Sequence, residues 1–335
     1  MLNKAVIDLK VIRENAKNVK AGLKDGALFN AVVKADAYGH GDAMCANAVY
    51  DVADMFSVAL AEEGVRLRRA GIDKKILVLT EPFIEDARLF ARYGLTASVS
   101  RIGTLAFLDA AARREGAKIG AHIKVNTGMN RLGCGLSETE ALADSFDRYK
   151  NVKLEGIYSH FYAPEEKRAL SAQLDEFLLA YKLINGYNRD ILAHISASGG
   201  YLAGVHLDMC RVGLLLYGYK PFESDAVEVA PAMKVFAPTV EVRRLKRGQH
   251  LLYGAAPLEK DCTASIYRYG YADGLFRQKS GDLLNNRCMD LSAEEGERGE
   301  RNVLENLERT ARENGTIPYE ILCSAARRCE KVYLR

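Results

Sequence analysis

The run Asn30-Ala31-Val32-Val33-Lys34-Ala35-Asp36-Ala37-Tyr38-Gly39-His40-Gly41 puts one lysine at the end of an apolar strand, before a loop of small residues and glycine. An amine held there points off the surface and into a cavity. Partial burial lowers its pKa, because desolvation disfavours the ammonium form. A neutral amine condenses with an aldehyde to a Schiff base, which is how lysines carry carbonyl cofactors. A lysine ending a strand more commonly just reaches water, so this chemistry needs other groups at the same place.

Several such groups stand at matching positions. Arg131 follows the fifth apolar strand candidate in Thr127-Gly128-Met129-Asn130-Arg131-Leu132-Gly133. His160 ends the sixth, and Ser198 ends the seventh, in Ser196-Ala197-Ser198-Gly199. Arg211, with Gly213 two residues on, falls early in the eighth candidate, Met209–Gly218, which points to a strand shorter than its apolar run. Each residue alone has a plain structural use: a core histidine, a surface arginine, an ordinary Ser-Gly-Gly turn. Together they point to one mouth. A phosphate would suit the Ser198 hydroxyl and the N–H groups near Gly213 and Leu214, because helix N-termini and glycine-rich turns admit an anion close to the backbone. The Tyr38 hydroxyl, four residues past Lys34, can add to it.

The elements that would hold these residues alternate. Strand candidates run over Leu28–Asp36, Met55–Leu60, Lys75–Thr80, Leu95–Ser100, Gly120–Asn126, Val152–His160, Asp190–Ser198 and Met209–Gly218. Helical patterns lie between them at Ala61–Ala70, Pro82–Tyr93, Thr104–Arg114, Glu138–Tyr149 (with Ser137 as its N-cap) and Glu165–Ile184. Strand-helix alternation implies parallel strands with right-handed crossovers. Eight of them make a (β/α)8 TIM barrel, whose sites lie at the C-terminal strand ends. An open doubly wound sheet is the rival, but no GxGxxG follows the first strand. After Tyr219, prolines and short alternating segments such as Thr239–Val242 and Thr263–Ile266 read as a β-rich second domain. The fold class is therefore α/β, with a barrel over 1–225 and a smaller β-rich C-terminal domain over 226–335. The first strand is free to pack on the second domain. Ala293–Asn314, dense in Glu, Arg and Asn, reads as one solvated helix.

Bulk composition narrows the partners. With 47 basic and 44 acidic residues the net charge is +3, which gives no reason to expect nucleic acid or an anionic membrane. No apolar stretch approaches the ~20 residues that cross a bilayer. Seven scattered cysteines without CxxC spacing argue against a disulfide framework or a zinc site, so no metal is expected. Met1–Lys4 lead straight into an amphipathic strand, and a reducing cytoplasm is the expected location.

The Lys34 run resembles the cofactor-lysine motif of the alanine racemase family. The resemblance continues through Lys124–Gly133, Glu155–His160, Cys210–Gly218, Gly270–Gly274 and Cys288-Met289-Asp290, nearly the whole chain. It implies a PLP-dependent isomerase acting on a small amino acid, L- and D-alanine by default, as a homodimer in which the second domain of one subunit completes the other's site. By position, Lys34 would carry pyridoxal 5′-phosphate and Tyr271 would be the base on the opposite face. Arg211 would pair with the pyridine nitrogen, with His160 between it and Tyr271. Arg131 and the Met289 N–H would bind the substrate carboxylate. Lys124 falls where the family often carries a carbamylated lysine.

Two departures stand out. Tyr271 to Cys288 is much shorter than in typical members, and Arg327 falls where some carry a phosphate-binding tyrosine. These bear on substrate identity, leaving serine or a broader amino-acid range open, or a PLP-binding paralogue with little catalysis. A PLP decarboxylase on the same barrel type would place an acidic partner where Arg211 stands.

Overall fold

In the computed structural model, residues 2–185, 190–253, 257–277 and 287–335 are described. The chain divides into two compact units. One comprises Val11–Ala37 and Asp42–Ala230; the other comprises Met1–Lys10, Tyr38–Gly41 and Pro231–Arg335.

The chain opens with β1 (Lys4–Asp8) and then lays down the parallel strands β2 (Leu28–Val32), β3 (Met55–Val58), β4 (Ile76–Val78), β5 (Ala97–Val99), β6 (Ile119–Lys124), β7 (Val152–Tyr158), β8 (Leu192–His194) and β9 (Met209–Val212). Strands β2 to β9 pair in the order β4-β3-β2-β9 and β5-β6-β7-β8. The Leu77–Thr96 bridge joins β4 to β5, and the Arg211 N–H donates to the Ser196 carbonyl beyond β8, closing the barrel. Their residues are apolar and buried almost throughout, as parallel strands covered on both faces must be. All eight expected barrel strands are present, each shorter than its apolar run. Their ends fold into the loops that carry the site. In particular β9 stops at Val212, so Arg211 lies next to its C-terminal end.

Between strands run amphipathic helices such as Ile102–Glu115 and Lys167–Asn185. Helix Leu136–Ser145 starts two residues earlier than an N-cap at Ser137 allows. Gly135 is the N-cap, and its N–H is held by the Glu138 carboxylate at 2.8 Å.

The second unit is a sheet in the order β12-β11-β10-β1-β14, with β10 (Met233–Leu245), β11 (Cys262–Tyr267), β12 (Ser292–Glu295) and β14 (Glu330–Leu334). Strand β13 (Glu300–Asn302) pairs with β10, and β1 runs antiparallel to β10 and parallel to β14. The segment expected as one solvated helix, Ala293–Asn314, is instead most of β12, then β13, then a short helix, Leu307–Glu313. Its charged residues sit on strand faces and pair locally, as Arg301 does with Glu294 at 2.8 Å. Charge density alone does not separate an exposed strand face from a solvated helix. The middle of the shortened stretch before Cys288, residues 278–286, lies outside the described residues. Among the described residues, no helix is long and apolar enough to cross a membrane.

Candidate active site

Strand β2 ends at Val32, the Val33 N–H donates to the Ser57 carbonyl, and Lys34 follows, half-buried. The backbone then turns left-handed for four residues in succession, Ala35, Asp36, Ala37 and Tyr38, all with φ between 52° and 54°. Each such residue costs roughly 1–2 kcal/mol for an L side chain. What holds the turn is Glu63. Its buried carboxylate accepts the Ala35 N–H at 2.7 Å and the Ala59 and Leu60 N–H groups at 2.7 and 3.1 Å. Asp36 accepts the Asp42 N–H at 3.1 Å, and Asp42 pairs with Arg66. Lys34 is thus set by hydrogen bonds on the residues around it.

Arg211 is the most constrained cation. It is buried, and its Nη2 donates to the Ser159 and Ile195 carbonyls at 2.7 and 3.0 Å. Its guanidinium lies 4.9 Å over the Tyr158 ring. Nη1 donates to His194 Nδ1. Arginine has no acceptor, so this nitrogen of His194 is the lone-pair side, and His194 Nε2–H donates to His122 Nδ1 at 2.8 Å. His122 Nε2 then carries a hydrogen with no partner among the described residues. Burial holds both histidines neutral: His122 is pushed down to about 3 and His194 well below 6.5, with Arg211 adding to both shifts. Arg211 itself falls to about 10, chiefly through burial.

His160 lies 3.4 Å from Arg211 Nη2. Its pKa is driven well below 6.5 by burial, then by Arg211, Arg131, Lys34 and Lys124. Lys124 is buried, with Nζ 3.4 Å from the Leu79 carbonyl and 5.3 Å from the centre of the Tyr158 ring. Burial first, then Arg131, Arg211 and Lys34, lower its pKa to about 7, against a smaller upward pull from Glu81. Arg131 is exposed, on a loop in which the Asn126 side-chain Oδ1 accepts the Gly128 and Asn130 N–H groups. Gly133 closes that loop: it has φ 124°, and a Cβ there would lie 2.5 Å from the Asn126 nitrogen. Glu81 is already engaged by the Ser100 N–H and hydroxyl, by Thr104 and by Arg101. The barrel mouth therefore gathers four cations, Lys34, Lys124, Arg131 and Arg211, around a neutral His160. That field suits a doubly anionic ligand or two anions side by side.

The phosphate candidates are partly brought together. Ser198 begins the short helix Ser198–Leu202, and its hydroxyl accepts the Gly213 and Leu215 N–H groups at 3.3 and 3.4 Å. Leu214 opens the tight 3-10 turn Leu214–Tyr217, which carries the Leu215 N–H to that hydroxyl.

In the other unit, Tyr38 is buried, packs 5.8 Å from Tyr319, and has its pKa raised by burial. Tyr271 starts a 3-10 turn and is 40% exposed. Its N–H donates to the Cys288 carbonyl at 3.1 Å, and the next N–H to that of Met289 at 2.9 Å, so Tyr271 and Met289 are tied together. Asp273 clamps the Gly270 N–H at 2.8 Å and faces Arg328, which also holds Asp290. Arg327 is exposed just past helix Pro318–Ala325.

Residues 7–221 match the alanine racemase N-terminal domain family. The chain belongs to the alanine racemase family. It is 32% identical to the alanine racemase of Aquifex pyrophilus, over 92% of both chains, and 30% identical to alanine racemase 1 of Bacillus subtilis strain 168, over 98% of this chain and 92% of the relative. Among solved structures, the alanine racemase of Clostridium difficile 630 superposes with a TM-score of 0.92 at 27% identity, over 100% of this chain and 96% of that one. A TIM barrel with a C-terminal β domain is the architecture of the family, and these enzymes are isomerases.

The family's cofactor is pyridoxal 5′-phosphate, and the donor set here fits it. Lys34 offers an amine that could take an aldehyde, Arg211 a fixed cation that would suit a ring nitrogen, and Ser198 a hydroxyl at a short helix start that would suit a phosphate. The residues that single-sequence reading missed are Glu63, Glu81, His122 and His194. Glu63 was visible only as one of two adjacent acids at a helix start. The two histidines sit on strands β6 and β8, far apart in sequence, and nothing local links them.

Proposed function

We propose that this chain interconverts L- and D-alanine by a two-base mechanism, with Lys34 and Tyr271 on opposite faces of the substrate. The observation that carries the proposal is the electropositive barrel mouth, with Lys34 on its left-handed turn and Arg211 locked beside His160. Bound pyridoxal phosphate supplies the aldehyde to which an amine links and an electron sink that acidifies the substrate Cα–H.

The residues divide the remaining work. Lys34 Nζ carries the cofactor and moves a proton on one face, and the Tyr271 hydroxyl moves one on the other. Arg211 faces the pyridine nitrogen and keeps it unprotonated, since arginine does not give up its proton there. His160, held neutral, links Arg211 to Tyr271. Ser198, Gly213, Leu214 and Tyr38 bind the phosphate. Arg131 and the Met289 N–H bind the substrate carboxylate. Lys124, half neutral near pH 7, is nucleophilic enough to be carbamylated, and its carboxylate would then steady Arg131.

The active assembly is a homodimer in which the partner subunit's Tyr271 and the partner subunit's Met289 complete each site. The setting is the cytoplasm, with D-alanine feeding peptidoglycan precursors.

The test is incubation of PLP-loaded protein with L-alanine and L-serine, followed by chiral chromatography. D-alanine should appear with the wild type and vanish with Lys34→Ala, which should also lose the visible Schiff-base band, and with Tyr271→Phe, which should keep it. Retained turnover in Lys34→Ala sinks the proposal. D-serine in place of D-alanine moves the substrate, and neither product despite the band would leave a PLP-binding paralogue.

A further inference from the structure

We propose that the C-terminal unit contains a second ligand site, a pocket for a small oxyanion gripped by Arg287 and Arg301. The pocket is a cavity of about 270 Å³ between Arg287, β13 and the helix Leu307–Glu313. It draws entirely on that unit and is independent of the racemase reading.

Arg287 is 7% exposed, yet among the described residues it has a single acceptor, the Phe276 carbonyl, 2.8 Å from Nη1. Its Nη2 and Nε donors, which lie in the fork geometry that matches an oxyanion, have none there. Arg301 shares the cavity and is itself mostly covered, with 19% side-chain exposure. It pairs with Glu294 at 2.8 Å. Among the described residues, two guanidinium groups thus share one carboxylate, which leaves fork donors to take an anion. Burial, and then Arg301, push Arg287 down to about 10.

The pocket's own acids make no ion pair with Arg287 among the described residues. Glu313 is bound to Arg309 at 2.7 Å, and Glu305 is exposed and pairs with neither arginine. Asn306, Thr310 and Asn314 add amide and hydroxyl groups to the wall. Guanidinium forks with neutral donors around a small cavity are the chemistry of carboxylate or phosphate capture.

The experiment follows the melting temperature of the holoenzyme against inorganic phosphate and, separately, acetate. Protein concentration is fixed and ionic strength is balanced with sodium chloride. A ligand that binds only the folded chain raises the melting point with a saturable dependence on its concentration. The wild type should show this rise, Arg301→Gln a weaker one, and Arg287→Met none. In anion-free buffer, Arg287→Met should melt at or above the wild type, because it removes a buried charge whose one acceptor among the described residues is a carbonyl. A phosphate-only rise identifies a phosphoryl ligand, and a rise with acetate a carboxylate. Equal rises in the wild type and Arg287→Met overturn the proposal, as does an unsaturating rise typical of salt exclusion. Should Arg287→Met fail to fold, Arg301→Gln against the wild type makes the same comparison, and an undiminished rise there is equally fatal.

Discussion

Removing the Glu63 carboxylate should release the turn that presents Lys34. Four successive left-handed residues, Ala35 to Tyr38, store roughly 4–8 kcal/mol of backbone strain at 1–2 kcal/mol each. Against this stand three hydrogen bonds from backbone N–H groups to one buried carboxylate. At about 1.5–3 kcal/mol apiece for a charged acceptor, they supply a stabilisation of the same size. Glu63→Ala deletes all three and leaves the N–H groups of Ala35, Ala59 and Leu60 searching for water. It should lower stability in urea by about 3–5 kcal/mol and cut the Schiff-base band at fixed cofactor concentration. Glu63→Gln keeps one acceptor oxygen, so it should fall between the wild type and Glu63→Ala in both readouts. The ordering matters as much as the size. If Glu63→Ala loses less than about 1 kcal/mol and takes up cofactor like the wild type, the turn is self-supporting and the argument is wrong.

Other expectations rest on the same geometry. Arg211→Lys keeps a charge but not the fork that reaches Ser159, Ile195 and His194, so it should lose about 3–5 kcal/mol of stability and change the pH dependence of turnover. His122, His160 and His194 are held neutral in the fold and take up protons when unfolded, so stability should be full above pH 6.5 and fall below it. The slope should approach about 1.4 kcal/mol per pH unit for each histidine, which urea melts at stepped pH would read and a flat profile would refute. Lys124 near pH 7 should gain the mass of carbon dioxide in native mass spectrometry, and lose it in carbonate-free buffer at low pH, where the amine is protonated.

Much of the site was legible because chemistry in a parallel barrel is bound to strand ends. Lys34, Arg131, His160 and Ser198 could each be placed from one apolar run and the loop after it. Arg211 fitted once β9 proved to end at Val212. What stayed hidden depends on contacts between elements distant in sequence. Glu63 reaches the Lys34 turn from the helix after β3, and His194 meets His122 across β7. The C-terminal unit was harder for a different reason. Its strands are two-faced and charged on the solvent side, so the Glu- and Arg-rich stretch after Ser292 carried no period strong enough to distinguish β12 and β13 from a helix.

The same contrast explains where function concentrates. The barrel mouth collects Lys34, Lys124, Arg131 and Arg211, while its nearby carboxylate, Glu81, is consumed by Ser100, Arg101 and Thr104. A cluster of that kind is electrostatically incomplete on its own: burial first, and then the neighbouring cations Arg131, Arg211 and Lys34, lower Lys124 to about 7. A phosphate and a substrate carboxylate would reverse that effect by supplying the missing negative charge. Ligand binding should therefore raise the pKa of Lys124 and stabilise the barrel by more than its contact area implies. Differential melting of apo- and holoenzyme across pH would expose this as a stabilisation that grows as pH falls toward 7, where Lys124 takes up its proton. A pH-independent difference would mean that the cluster is screened and that packing, not charge, governs how tightly the cofactor is held.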